Sequence, residues 1–109
     1  MNSSRVGELE TVVLFITIRL ADDAYGAEIR RLVNARTHRD YSVGAIYASL
    51  RRLEDKGFVR SFESAPLPVR GGRSRRYFVP TAAGRAALRG AVAAKRRLWK
   101  NVTFGWESR

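Results

Sequence analysis

Apolar positions recur along this chain with changing periods, and each period predicts a different element. From Glu8 to Leu20 nearly every second position or more is apolar: Leu9, Val12, Val13, Leu14, Phe15, Ile16, Ile18 and Leu20. A surface helix shows one apolar stripe, so a helix here needs cover on two faces, and the second cover suits another subunit. A central core helix of a monomer is the plainer alternative, and a strand through the β-branched centre fits the length less well. Ala21-Asp22-Asp23-Ala24 is a break whose aspartates suit a helix start. Tyr25 to Arg36 then places Ile29, Leu32 and Val33 on one face and Glu28, Arg30 and Arg31 elsewhere, which predicts an amphipathic helix of about three turns. Thr37 to Tyr41, with the exposed turn residue His38, leads into the next element.

Ser42 to Gly57 has both ends marked. Ser42 is a favourable N-cap and Gly57 a left-handed stop. Val43, Ile46, Leu50 and Leu53 fall on one stripe, and Gly44, Tyr47, Ala48 and Arg51 on the other side. An ordinary solvent face would be dense in Glu and Lys. This one is slim at its start and then offers a phenol and a guanidinium, as a helix entering a DNA groove requires. A helix, a short turn and such a helix make a helix-turn-helix unit. After Gly57 the period shortens: Phe58 to Glu63 and Arg75 to Val79 read as two strands. The Pro- and Gly-containing loop between them carries Arg70, Gly72 and Arg73, so the hairpin forms a basic wing. Thr81 caps an Ala-rich last helix running towards Val102, on which Leu88, Ala91, Leu98 and Val102 approximate a heptad seam that Lys95 interrupts.

Charge gives this pattern a partner. The 109 residues carry 21 Lys and Arg against 10 Asp and Glu, a formal charge of +11. Residues 1–69 hold 10 basic and 9 acidic side chains, and residues 70–109 hold 11 and 1. The positive field therefore comes from the C-terminal third, and a polyanion is the expected partner. With no Cys and a single histidine, His38, disulfides, thiolate catalysis and cysteine zinc sites are excluded, and no metal or other cofactor is expected. The lack of paired acids in a plausible cleft argues against an enzyme. The run from Val12 to Ile18 is too short to span a bilayer, and the basic last helix lacks the broad apolar face that membrane-surface binding needs; the expectation is a soluble cytoplasmic protein.

Three stretches together carry a family resemblance: Asp23-Ala24-Tyr25-Gly26-Ala27-Glu28-Ile29, the run from Ser42 through Val59, and Gly71-Gly72-Arg73-Ser74-Arg75-Arg76-Tyr77-Phe78. From about Glu8 to Leu98 the chain resembles the PadR-like transcriptional regulators, in their short form without a long C-terminal helical domain. Pro80 stands where that family usually has an aliphatic residue before the Thr that opens the last helix. The resemblance implies a mainly α fold with a small β-hairpin: a winged helix-turn-helix of three helices and a two-stranded wing over residues 1–80. Residues 81–109 add a C-terminal dimerisation helix and tail to the same compact domain.

The implied function is a sequence-specific DNA-binding regulator, a repressor on a palindromic operator, acting as a homodimer held by the first and last helices. Leu9, Val12, Phe15 and Ile16 are the expected interface on one helix, and Leu88, Val92, Leu98 and Trp99 on the other. The expected contacts to double-stranded DNA are Ser42, Gly44, Tyr47, Ala48, Arg51 and Arg52 on the reading helix, Tyr25 and Gly26 at the start of the helix before it, and Arg70, Gly72, Arg73 and Arg75 on the wing. Ser42 can also act purely as a cap, Tyr25 as a core plug, Tyr47 as a partly buried side chain and the arginines as a solvated face. Arg76 lies on the opposite side of its strand from Arg75, and the loop-tip Arg73 is the better candidate for phosphate or the minor groove. Some short relatives hold flat aromatic molecules between tryptophans at the dimer centre. Trp99, with Phe15 and Trp106, offers that chemistry for an effector, although packing is the plainer role of a Trp at a helix end. The alternative with the same charge is a non-specific nucleic-acid-binding module.

Overall fold

A computed structural model describes residues 6–66 and 74–101. The first helix, α1 (Glu8–Leu20), has the expected bounds. It buries Val13, Leu14, Ile16 and Thr17, and the Thr17 hydroxyl, which would otherwise be an unpaired polar group in the core, donates to the Val13 carbonyl at 2.8 Å. A short 3₁₀ turn (Ala21–Asp23) leads to α2 (Gly26–Thr37). No aspartate caps α2; its N-cap is Tyr25, with no side-chain hydrogen bond. The helix closes on His38, whose φ of 56° lies in the left-handed region.

The third helix, α3 (Val43–Asp55), is bounded as its caps predict. The Ser42 Oγ accepts from the Ala45 N–H at 3.0 Å. At the other end Gly57 has φ 78°, its N–H donates to the Glu54 carbonyl at 2.9 Å, and the Phe58 N–H donates to the Leu53 carbonyl at 2.8 Å. Those two bonds satisfy the last carbonyls of the helix in a Schellman arrangement. Ile46, Leu50 and Leu53 are fully buried, but Val43 is 54% exposed. As the first helical residue it sits at the edge of the stripe, and packing begins one turn later at Ile46.

The wing pairs β1 (Val59–Glu63) antiparallel with β2 (Arg76–Pro80), from Val59 opposite Pro80 to Glu63 opposite Arg76. Phe58 and Arg75, expected in the strands, lie just outside them. A third backbone segment completes the sheet: the Phe78 N–H donates to the Ala24 carbonyl at 2.8 Å, and Tyr25 makes an isolated bridge with Tyr77. The last helix, α4 (Ala82–Trp99), gives way to a turn at Lys100 and Asn101, and Val102 lies outside the described residues. Thr81 staples its start, accepting from the Gly84 N–H at 2.9 Å and donating to the Gly57 carbonyl at 2.7 Å. Gly84 lies so close to the Phe58 carbonyl that a Cβ there would come within 2.0 Å of the oxygen. One core joins all of these, with Val13, Leu14, Ile16, Ile29, Val33, Ile46, Leu50, Leu53, Val59 and Phe78 at its centre. Gly84 is the only residue of α4 that is buried, so the second half of this helix projects from the domain.

Candidate nucleic-acid interface

Two side chains of α2 aim α3. The Tyr41 carbonyl, one residue before the Ser42 cap, accepts from Arg30 Nε at 2.8 Å and from Asn34 Nδ2 at 3.2 Å, while the Tyr41 N–H donates to Asn34 Oδ1 at 2.8 Å. Arg30 also lies 3.6 Å from Asp40. A loop backbone whose polar groups are satisfied by the preceding helix fixes the direction in which the next helix leaves. Sequence reading missed this clamp; the available signal was that Arg30 and Asn34 are four residues apart and thus share a helical face.

The outward face of α3 presents Ser42, Val43, Gly44, Tyr47, Ala48 and Arg51, all exposed. No hydrogen bond or ion pair engages Arg51 among the described residues. Tyr47 does not stand straight out from the helix. Its ring packs edge-on against Phe78 at 6.3 Å, and its hydroxyl lies over Gly26, where an added Cβ would fall within 1.8 Å of it. Gly26 is consequently buried at the start of α2, and any contact it makes to DNA is limited to its backbone. The phenol lies beside that helix start, where unpaired N–H groups favour a phosphate.

Arg52 also departs from expectation. Its Nε donates to Glu10 Oε2 of α1 at 2.7 Å, and Lys56 Nζ donates to Glu10 Oε1 at 2.7 Å. Glu10 is buried. Burial by itself would raise its pKa, but the hydrogen bonds from Lys56 and Arg52 outweigh it and hold the carboxyl below its usual 4.5. This link spans 42 and 46 residues of chain and has no local signature.

On the wing, the Arg75 guanidinium lies over the Tyr25 ring, 4.1 Å from its centroid. Tyr25 meets Tyr77 edge-on at 5.6 Å, and Tyr77 stacks on Phe62 at 5.6 Å. Tyr25 therefore joins the wing to the head of α2. A hydrogen bond to Tyr77 is the main cause of the raised pKa of Arg75, with smaller contributions from nearby Tyr25 and Asp23. Arg76 is spent internally, donating to the Ser61 Oγ at 2.8 Å and lying 3.8 Å from Glu63. Ser61 in turn donates to Glu54 of α3 at 2.8 Å, so wing and reading helix are strapped together. Arg70, Gly72 and Arg73 lie outside the described residues, as does Trp106.

Of the residues expected at a dimer contact, Ile16 is fully buried in the core and unavailable to a partner. Leu9, Val12 and Leu88 are partly covered, while Phe15, Val92, Leu98 and Trp99 are exposed. Val12, Val92 and Trp99 line an open groove of about 920 Å³ between α1 and α4, together with Ala87, Gly90 and Ala91. Phe15 does not line it. Lys95, the break in the heptad seam, donates to Glu8 at 2.9 Å across the same groove.

The sequence pattern of the transcriptional regulator PadR-like family matches residues 15–90. The chain belongs to the PadR-like family. A PadR family regulator from Clostridium difficile R20291 is 27% identical, with a TM-score of 0.61 over 83% of this chain and 91% of that one. Another from Eggerthella lenta is 26% identical, with a TM-score of 0.65 over 81% and 74%. No curated protein matches the sequence. The winged helix of these PadR structures is the fold described above, and transcription regulation is the role of the family. Among the described residues no group of His, Cys, Asp or Glu is placed to hold a metal, and no helix is long and apolar enough to cross a membrane.

Proposed function

We propose that this PadR-like regulator is a repressor that binds a palindromic operator as a homodimer, with α3 in the major groove and the wing on the flanking backbone. The observation that carries this reading is the exposed face of α3. It is slim at its start, aimed by the Tyr41 clamp, and bears Arg51 without a partner among the described residues. Arg suits bidentate contact to guanine, and Ser42 with the first N–H groups of α3 suits phosphate. Arg75, with Arg70 and Arg73 from the wing loop, and the basic residues of α4 supply the sequence-independent attraction.

Association rests on the faces left uncovered. The radius of gyration is 16.4 Å, against about 13 Å for a compact chain of this length, because α4 projects with Leu98 69% exposed. A second copy would bury the α1–α4 groove and set the spacing of two α3 helices, which is why the operator should be palindromic. An aromatic effector seated beside Trp99 would change that spacing and relieve repression. Protection of DNA upstream of the protein's own gene, measured against salt, tests the reading. One symmetric protected site is expected, with affinity falling steeply between 50 and 200 mM salt, by ~10³ or more for six phosphate contacts. Equal affinity for every sequence would instead establish a non-specific binding module.

A further inference from the structure

Three basic side chains crowd the second half of α3 and its C-cap: Arg51, Arg52 and Lys56. Their fates differ. Arg51 is unengaged among the described residues, whereas Arg52 and Lys56 both donate to one buried carboxylate, Glu10 of α1, at 2.7 Å each. The Gly7 N–H adds a third, longer bond of 3.4 Å to the same group. The Lys56 side chain is largely covered, but that of Arg52 is 53% exposed and also lies 3.5 Å from the Ser49 hydroxyl. Successive residues of a helix are about 100° apart, so Arg52 flanks the reading face that Arg51 occupies. A guanidinium on that flank, on a long flexible stem, is within reach of a phosphate whenever nothing else holds it.

We infer that Glu10 is a specificity-determining residue that withholds Arg52 from the DNA backbone, leaving Arg51 as the unpaired cation of α3. This rests on the DNA-binding reading of α3 given above. A phosphate contact raises affinity for every sequence alike, whereas a base contact raises it for one. An arginine beside the reading face therefore strengthens non-specific binding if it is loose. Bound to an interior carboxylate that also ties α3 to α1, it fixes the tilt of the reading helix instead. Glu10 thus acts on recognition through Arg52 without touching DNA itself.

The test compares salt dependence of binding to random-sequence duplex DNA for the full chain and three variants. Each phosphate contact contributes about 0.9 to the slope of log affinity against log salt. Glu10→Gln, which keeps the shape of the side chain and removes its charge, should steepen the slope by about 0.9 for each protomer, about 1.8 for the homodimer. That is an additional loss of about tenfold for the homodimer between 50 and 200 mM salt. Its preference for operator over random DNA should fall. Arg52→Ala should leave the slope of the otherwise unchanged protein as it was, and Glu10→Gln combined with Arg52→Ala should return to the original slope. A strut with no bearing on DNA would alter stability and leave all the slopes equal, which overturns the inference. If Glu10→Gln fails to fold, Glu10→Asp, one methylene too short to hold Arg52, takes its place, with the slope again expected to steepen and an unchanged slope overturning the inference. An Arg52→Ala slope shallower by about 0.9 for each protomer would also overturn it, by showing Arg52 on phosphate while Glu10 is present. Absence of salt-dependent binding in the unmodified protein would instead defeat the DNA-binding reading itself.

Discussion

A carboxylate shared by two cations keeps its charge into acid, and Glu10 is the residue where this bears on folding. Its folded pKa lies below the 4.5 of a free glutamate, so its contribution to stability is fully present above about pH 4.5 and is lost as pH falls through the folded value. Thermal melts between pH 3 and 7 should show the unmodified protein losing stability below pH 4.5 more steeply than Glu10→Gln. Parallel curves would mean that the two bonds add nothing in solution. Removing the side chain leaves Arg52 and a covered Lys56 facing an empty site, so Glu10→Ala should cost about 2 kcal/mol, below the full value for a buried pair because Arg52 is half exposed. Ser42→Ala removes the acceptor for the Ala45 N–H and should cost ~1 kcal/mol in chemical denaturation, with Ser42→Gly milder.

At the scale of elements, α4 is fixed at its first turn. A methyl at Gly84 meets the Phe58 backbone oxygen, which no side-chain rotation can relieve. Gly84→Ala should therefore destabilise the fold by about 1–3 kcal/mol, despite the better helix propensity of Ala. A neutral result in urea unfolding would show that the β1 end can shift. The helices themselves were legible in the sequence because each carries local marks: a three-to-four apolar spacing, Ser42 and Gly57 around α3, Thr81 before α4. The hairpin was legible from its change of period. What was not legible joins positions far apart. Nothing near Tyr41 announces that Arg30 and Asn34 will clamp it, and nothing near Ala24 announces that its carbonyl will pair with Phe78. Ile16 was expected on an outer face because α1 is apolar nearly all round, and only the packing decides which apolar positions face inward. Tyr47 keeps part of its ring at the surface, and the bare surface of Gly26 lets its hydroxyl lie against the start of α2.

For the molecule as a whole, the ion pairs divide the charge. Arg30, Arg31, Arg52, Lys56 and Arg76 have acidic partners within the domain, and Lys95 pairs with Glu8 across the groove. Arg51, Arg75 and the rest of the basic residues along α4 have no such ion pair among the described residues, and neither do Arg19, Arg36, Arg39 and Arg60. The projecting end of α4 makes association testable in the same frame. Leu98→Glu should leave the monomer fold intact, since that side chain packs on nothing buried, and weaken self-association about tenfold or more in sedimentation experiments. An unchanged mass distribution would remove the α1–α4 groove from the interface.

On the proposed function, the outward face of α3 reads DNA through Arg51. The most direct measurement is the affinity of Arg51→Ala for an operator selected from a random duplex pool, set beside its affinity for random DNA. A loss of about 1–3 kcal/mol on the operator, with a much smaller loss on random sequence, is the predicted result. Equal losses on both would make Arg51 one more phosphate contact and would contradict base reading by α3.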